Sequence, residues 1–245
     1  MKAIDCIWEL KNIGEKTIEI NIDKNDEIDI KEFESLFSDY QYVVVKVPMN
    51  MIEVNSLLSS MGFLMIETQI SLSKKFKDFD FSDKLIKYLY PHVYMEEICS
   101  ASVIDNLLDR ISDSMFSTDR IYIDKHFPLG TSSHRYKRWI KSEFEAKTSV
   151  VSKIMYDEKW VGFGMERLND GCYSGLLGGV FEEYQSGGMA LCTGGIRFID
   201  MHKRGLTFKK LKTSISSNNV PVVEVYNYLG FKIDNLSYVF VKHNK

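Results

Sequence analysis

Gln185-Ser186-Gly187-Gly188-Met189-Ala190 is the stretch on which the fold of this chain turns. It reads Gln-x-x-Gly-x-Ala. It lies between a strand-like run, Tyr173-Ser174-Gly175-Leu176-Leu177-Gly178-Gly179-Val180, and an apolar stripe at Met189, Cys192, Ile196 and Ile199. The stripe steps by three, four and three residues, the spacing of one helical face. A glycine turn that opens a helix presents unpaired backbone N–H groups at the positive end of the helix dipole, where a phosphate or pyrophosphate can sit. The stretch predicts a phosphorylated ligand without saying which.

The pattern continues on both sides. Strands are predicted at residues 150–156, 160–168 and 172–181, after a helix at 133–147. The helix that follows the glycine turn runs to about Lys203 and stops at Gly205. A strand at 206–214, a helix at 220–229 and final strands around Phe231 and Tyr238 complete this half. Asn219 suits the N-cap of the last helix, Pro221 its first turn and Gly230 its C′ position. Upstream, strands are expected at 41–47 and 63–72 and helices at 50–60 and 102–111, with 73–83 as an exposed connection. The reading is α/β, a mixed sheet flanked by helices, in two compartments: 1–115 and 116–245.

Composition narrows the function classes. Of 245 residues, 44% are apolar and 27% charged, ordinary values for a globular protein. A net charge of −3 without blocks of like charge argues against nucleic-acid and anionic-membrane partners. The basic run His134-Arg135-Tyr136-Lys137-Arg138 reads as a solvated helix face. The start, Met1-Lys2-Ala3-Ile4-Asp5-Cys6, lacks a signal-peptide core, and no apolar run reaches the ~20 residues of a membrane span, so the cytoplasm is expected. Cys6, Cys99, Cys172 and Cys192 read as reduced thiols, and the five scattered histidines show no metal-ligand spacing; no metal is expected.

The glycine turn lacks the Lys-Ser/Thr ending of a P-loop and the Gly-x-Gly-x-x-Gly of a dinucleotide fold. What narrows it lies downstream: Thr213-Ser214, Asn219, Tyr226 and Gly230-Phe231. Together with Gln-x-x-Gly-x-Ala, this set closely resembles the acetyl-coenzyme A core of the GNAT superfamily of N-acyltransferases, over about residues 150–245. Within it, Asp119-Arg120-Ile121-Tyr122-Ile123-Asp124 followed by Tyr136-Lys137-Arg138-Trp139-Ile140 is most similar to the dTDP-amino-sugar acetyltransferases of the dTDP-fucosamine type. Gln185 stands where arginine is more usual, Ala190 where glycine is frequent and Val222 where alanine is usual. A helix-glycine-aromatic sequence recurs at Leu57 to Phe63 and Tyr228 to Phe231; such a pattern is common enough to arise by chance, the alternative being that the first compartment is a degenerate copy of half of the second.

The resemblance implies roles. Acyl-CoA is the expected donor, with a splayed strand at residues 176–180 pairing with the pantetheine arm. A backbone N–H among Leu177, Gly178, Gly179 and Val180 would polarise the thioester carbonyl. The N–H groups of Gln185, Ser186, Gly187, Gly188, Met189 and Ala190 would hold the pyrophosphate. Asn219 contacts the pantetheine, caps its helix, or does both. Tyr226, two turns further on, is the expected general acid toward the cofactor sulfur. Glu166, Asp170, Glu182 and Glu183 lie near the central hairpin, but no general base is singled out. Arg120, Tyr122, His134 and Trp139 are the acceptor-side candidates, with core packing the alternative for Trp139. The expected reaction is direct transfer of an acyl group to the amine of a nucleotide-linked amino sugar, in O-antigen or other surface-polysaccharide synthesis, by a homodimer. The alternatives are another small amine or peptide N-terminus as acceptor, or a coenzyme A-binding protein without catalysis.

Overall fold

The computed structural model describes residues 1–187 and 189–244. In chain order the first half holds β1 (Lys2–Asp5), α1 (Glu9–Ile13), β2 (Thr17–Asn21), α2 (Ile30–Phe37), β3 (Tyr42–Pro48), α3 (Ile52–Ser60) and β4 (Leu64–Lys75). Then come α4 (Lys84–Leu89), β5 (Val93–Glu97), α5 (Ala101–Arg110), α6 (Arg120–Ile123) and α7 (Thr131–Ala146). The second half adds β6 (Val150–Tyr156), β7 (Lys159–Asn169), β8 (Cys172–Val180), α8 (Ala190–Lys203), β9 (Lys210–Ser216), α9 (Val220–Tyr228) and β10 (Lys232–His243).

Local chemistry sets many of the boundaries. Asp29 and Asp83 accept N–H bonds at the starts of α2 and α4, and Asn219 does the same for α9 by accepting from the Val222 N–H. Pro221 occupies the first turn of α9. Gly205 and Gly230 follow α8 and α9 with φ of 65° and 69°, the left-handed conformation that stops a helix cheaply. In β3, Val43, Val44 and Val45 are all buried, as expected of a strand covered on both faces.

Among the described residues, ten strands form one sheet, in the order β1-β2-β3-β10-β4-β9-β8-β7-β6-β5. The last strand of the chain, β10, inserts between β3 and β4 and runs antiparallel to both. At the centre, β8 and β9 are parallel and pair only from Cys172↔Lys210 to Gly175↔Thr213. Beyond Gly175 they part. A register shift against β7 falls at the same point, where Met165 faces Leu177 but Glu166 faces Gly175, so Leu176 is the extra residue. The splayed mixed sheet expected from sequence is therefore present, with its fork between β8 and β9.

Three expectations need correction. Residues 73–83 are not simply an exposed connection. Ser73 to Lys75 continue β4, and Phe79 is buried with its ring stacked on Phe198 at 4.3 Å and 4°. Three phenylalanines within six residues had an apolar surface to cover, namely α8. The basic run is not a solvated face either, because Arg135 and Tyr136 turn inward to carboxylates while Arg138 stays outside. Finally, the expected strands around Phe231 and Tyr238 are one twelve-residue strand, interrupted only by register shifts.

Close backbone approach makes Gly162 the most constrained glycine of the sheet. A Cβ there would run into the Gly179 carbonyl oxygen and lie 3.2 Å from Val180 Cα, both backbone atoms of the paired strand. Gly162→Ala should cost about 1–3 kcal/mol, read as a lower urea midpoint with an unchanged slope. A variant as stable as the parent would show that β7 and β8 are farther apart than described.

Candidate active site

The fork opens into a cavity of about 670 Å³. One side of its mouth is β8, through Gly175, Leu176, Leu177 and Gly178; the other is β9, through Thr213, Ser214, Ile215 and Ser216. Thr193, Ile196 and Arg197 of α8 and Asn219, Val222 and Tyr226 of α9 contribute further walls. The far end is built from Glu19, Lys46, Glu67, Gln69, Asp119, Arg120, Arg135, Tyr136 and Trp139.

Tyr226 is carried to the fork by the packing of α9 on α8. Gly194 makes that approach close, since a Cβ on it would lie 2.8 Å from Leu229 Cδ1 and 3.2 Å from Val225 Cγ1. The Tyr226 ring meets Phe231 edge to face at 4.7 Å. Burial pushes its hydroxyl up to about 12, with hydrogen bonding from Thr213 opposing the shift. It is therefore a protonated phenol, a donor, throughout the neutral range. Thr213 in turn donates to the Gly175 carbonyl at 3.1 Å, across the last pair before the strands separate.

Glu166 lies at the bulge opposite Gly175, buried and ion-paired with Arg197. Burial raises its carboxyl despite the pull of the guanidinium. Asp200 holds the other side of the arrangement, 4.0 Å from Arg197, 3.1 Å from Arg204 Nε, and accepting from the Met95 N–H at 3.1 Å. At the far end, Arg135 Nε donates to both carboxylate oxygens of Glu9 at 2.9 and 3.1 Å. Asp119 accepts from the Tyr136 hydroxyl at 2.8 Å, the Ser132 hydroxyl at 2.9 Å and the Ile121 N–H at 3.1 Å. Arg120 Nε is buried with no hydrogen-bond partner among the described residues, and Glu67 is buried on β4.

The structure brings together part of the expected donor set. Leu177, Gly178, Asn219 and Tyr226 line the cavity. Gly179 is enclosed by Met115 and Phe163, and Val180 is buried. Gln185 lies in a 3-10 turn at Glu182–Gly187 and turns its side-chain amide back to donate to the Val180 carbonyl at 3.1 Å, bracing the end of β8. Met189 and Ala190 begin α8, whose first turn has no side-chain cap; Gly188 lies outside the described residues. Asn219 Oδ1 accepts from the Val222 N–H at 3.3 Å, so the capping role is realised in a residue that also faces the cavity.

Of the acceptor-side candidates, Arg120 and Trp139 line the cavity, and Trp139 also packs on the neighbouring core. Tyr122 does not line it, and His134 is exposed beside a shallower hollow at Lys11 to Gly14. Glu9, Glu19, Lys46, Glu67, Asp119, Arg135, Tyr136 and Arg197 went unassigned in the sequence. Glu9 and Arg135 are 126 residues apart, and no local spacing links such a pair.

The fold is that of the GCN5-related N-acetyltransferases. A GCN5-related N-acetyltransferase from Sphaerobacter thermophilus superposes with a TM-score of 0.56 at 11% identity, over 82% of this chain and 59% of that one, so the chain spans less than two thirds of its length. A functionally unknown conserved protein from Staphylococcus epidermidis gives 0.61 at 13% identity, covering 94% and 85%. A tandem GNAT protein from the clavulanic acid biosynthesis pathway gives 0.53 at 8%, covering 93% and 75%. No protein-family model and no curated protein sequence matches the chain. Among the described residues, no helix is long and apolar enough to cross a membrane.

Proposed function

We propose that the chain is an acyl-CoA-dependent N-acyltransferase. The observation that supports this reading is one cavity lined together by Tyr226 of α9, Thr193 in the first turn of α8, and the strands β8 and β9 where they part. Unpaired strand edges beyond Gly175 suit the amides of a pantetheine arm, and the α8 N-terminus suits its pyrophosphate. The acceptor nitrogen attacks the thioester carbon directly, the C–S bond breaks, and the sulfur leaves with its electron pair. Glu166 or water in the cavity takes the ammonium proton.

The role of Tyr226 follows from magnitudes. A phenol near 12 facing a thiol near 8.5 makes full proton transfer to a free thiolate uphill by about 5 kcal/mol. Tyr226 therefore serves as a hydrogen-bond donor that stabilises charge on the departing sulfur, with transfer following as the desolvated thiolate becomes more basic.

We assign residues 1–115 to the acceptor side, through Glu19, Lys46 and Glu67, and residues 116–245 chiefly to the donor. For the acceptor the reading is the nucleotide-linked amino sugar, in a homodimer serving surface-polysaccharide synthesis, with Arg120 available to phosphate and Trp139 to a ring face, and Lys46 held 2.9 Å from Glu19 beside them. A second reading, a small amine or peptide N-terminus, is favoured by the buried carboxylate of Glu67, which complements an ammonium group.

Thiol release from acetyl-CoA should be measured against dTDP-amino sugars, polyamines and peptides. Turnover with the sugars alone is expected. Turnover confined to amines or peptides would remove the sugar, and binding of coenzyme A without turnover would leave a binding protein. Absence of any binding would remove the donor assignment itself.

A further inference from the structure

Away from the cavity, the fold gathers three side chains that the sequence scatters: Glu15 after α1, His126 after α6 and His243 at the end of β10. One ligand atom from each can be chosen so that all lie within 4.8 Å of one another. His126 Nε2 is 2.8 Å from Glu15 Oε1, and His243 Nδ1 is 3.6 Å from Glu15 Oε2. The two imidazoles stack with centroids 3.7 Å apart. On its far nitrogen, His243 Nε2 donates to Asp124 Oδ2 at 2.8 Å.

That outer contact determines what the inner nitrogen offers. With the ring proton held on Nε2 by a carboxylate, Nδ1 of the neutral imidazole is a bare lone pair. It faces Glu15 Oε2, itself an acceptor. Both atoms are shut off from solvent, and neither has a hydrogen-bond partner among the described residues. Two lone pairs held 3.6 Å apart call for a cation between them. Ligands at about 2.0–2.1 Å on a tetrahedral zinc stand about 3.3 Å from each other, so the Glu15–His243 gap needs little closure, while the stacked, half-exposed His126 ring turns to bring its nitrogen onto the same ion. Two imidazoles and a carboxylate are a known zinc donor set, and a carboxylate behind a ligating histidine is the usual orienting contact.

We propose that Glu15, His126 and His243 form a site for a divalent transition metal of the zinc class, with Asp124 as the positioning residue for His243. On binding, His126 Nε2 exchanges its bond to Glu15 for the metal, and its ring proton moves to Nδ1. Glu15 supplies oxygen, and His126, 48% exposed, leaves a fourth position open to water. None of the three ligands lines the cavity, which makes the site a structural tie joining the end of the last strand to the loops after α1 and α6. The rival occupant is a proton, since an imidazolium at His243 would also satisfy Glu15 and Asp124.

The full chain, without an affinity tag and freed of metal by chelation, should be titrated with zinc by calorimetry and with cobalt by absorption spectroscopy. One equivalent of zinc is expected to bind and to raise the melting temperature. The cobalt bands should be those of a four-coordinate ion without sulfur-to-metal charge transfer, which excludes the cysteines. His126→Ala should lose at least about tenfold in affinity with an unchanged far-UV spectrum, and Asp124→Asn should lose about 10- to 100-fold. Because His126 is half exposed, its variant decides the matter even if Asp124→Asn does not fold. No binding at micromolar zinc, equal affinity in His126→Ala, or thiolate bands with cobalt would each overturn the site.

Discussion

Tyr226→Phe is expected to lower kcat about a hundredfold while leaving KM for the acyl donor nearly unchanged. The phenyl ring retains its packing on Phe231 and its place on α9, so the variant removes the hydroxyl alone. Loss in kcat without loss in KM marks an interaction that strengthens only as charge collects on the leaving sulfur. The pH profile adds a second reading. A phenol held near 12 produces no alkaline limb below about pH 11, so a fall in rate nearer neutrality would belong to another group. If steady-state thiol release by the variant matches the parent, Tyr226 has no part in the chemistry.

Arg135→Ala should destabilise the protein by about 3–5 kcal/mol, a fall in melting temperature of roughly 10 °C for a chain of this size. The side chain of Glu9 is only 4% exposed, and Arg135 is its bidentate partner. Removing the guanidinium strands a carboxylate between α1 and α7, where it must protonate or draw water inward. The cost is of the unpaired charge rather than of the pair. Replacing Glu9 and Arg135 together by leucine should recover most of the loss, because the desolvation penalty disappears with both charges. Denaturation of the single and double variants measures this directly, and equal destabilisation by both would mean that packing, not charge, links α1 to α7.

What the sequence revealed followed from range. The helix after the glycine turn, its stop at Gly205 and the cap, proline and glycine of α9 are signals confined to a dozen residues, and each lies where expected. Leu177, Gly178 and Tyr226, which the resemblance named together, line one cavity, whereas Gly179 and Val180 do not. The far end of the cavity was hidden because its groups come from β2, β3, β4, α6 and α7 and the residues beside them. The run of basic residues actively misled for Arg135 and Tyr136, suggesting solvent while partners 126 and 17 residues away drew the side chains in. The cluster of Glu15, His126 and His243 was invisible on the same ground, because its members come from distant parts of the sequence.

The interleaving of β10 sets an order on biosynthesis. Until its twelve residues leave the ribosome, β3 and β4 have no strand between them, and each carries an unsatisfied row of amides and carbonyls. The amino-terminal portion thus emerges early but waits for β10, which follows the other nine described strands in the chain, before it can close. Nascent chains stalled short of this strand would be open to proteases and to edge-to-edge association, and deleting β10 would leave the facing edges of β3 and β4 unpaired.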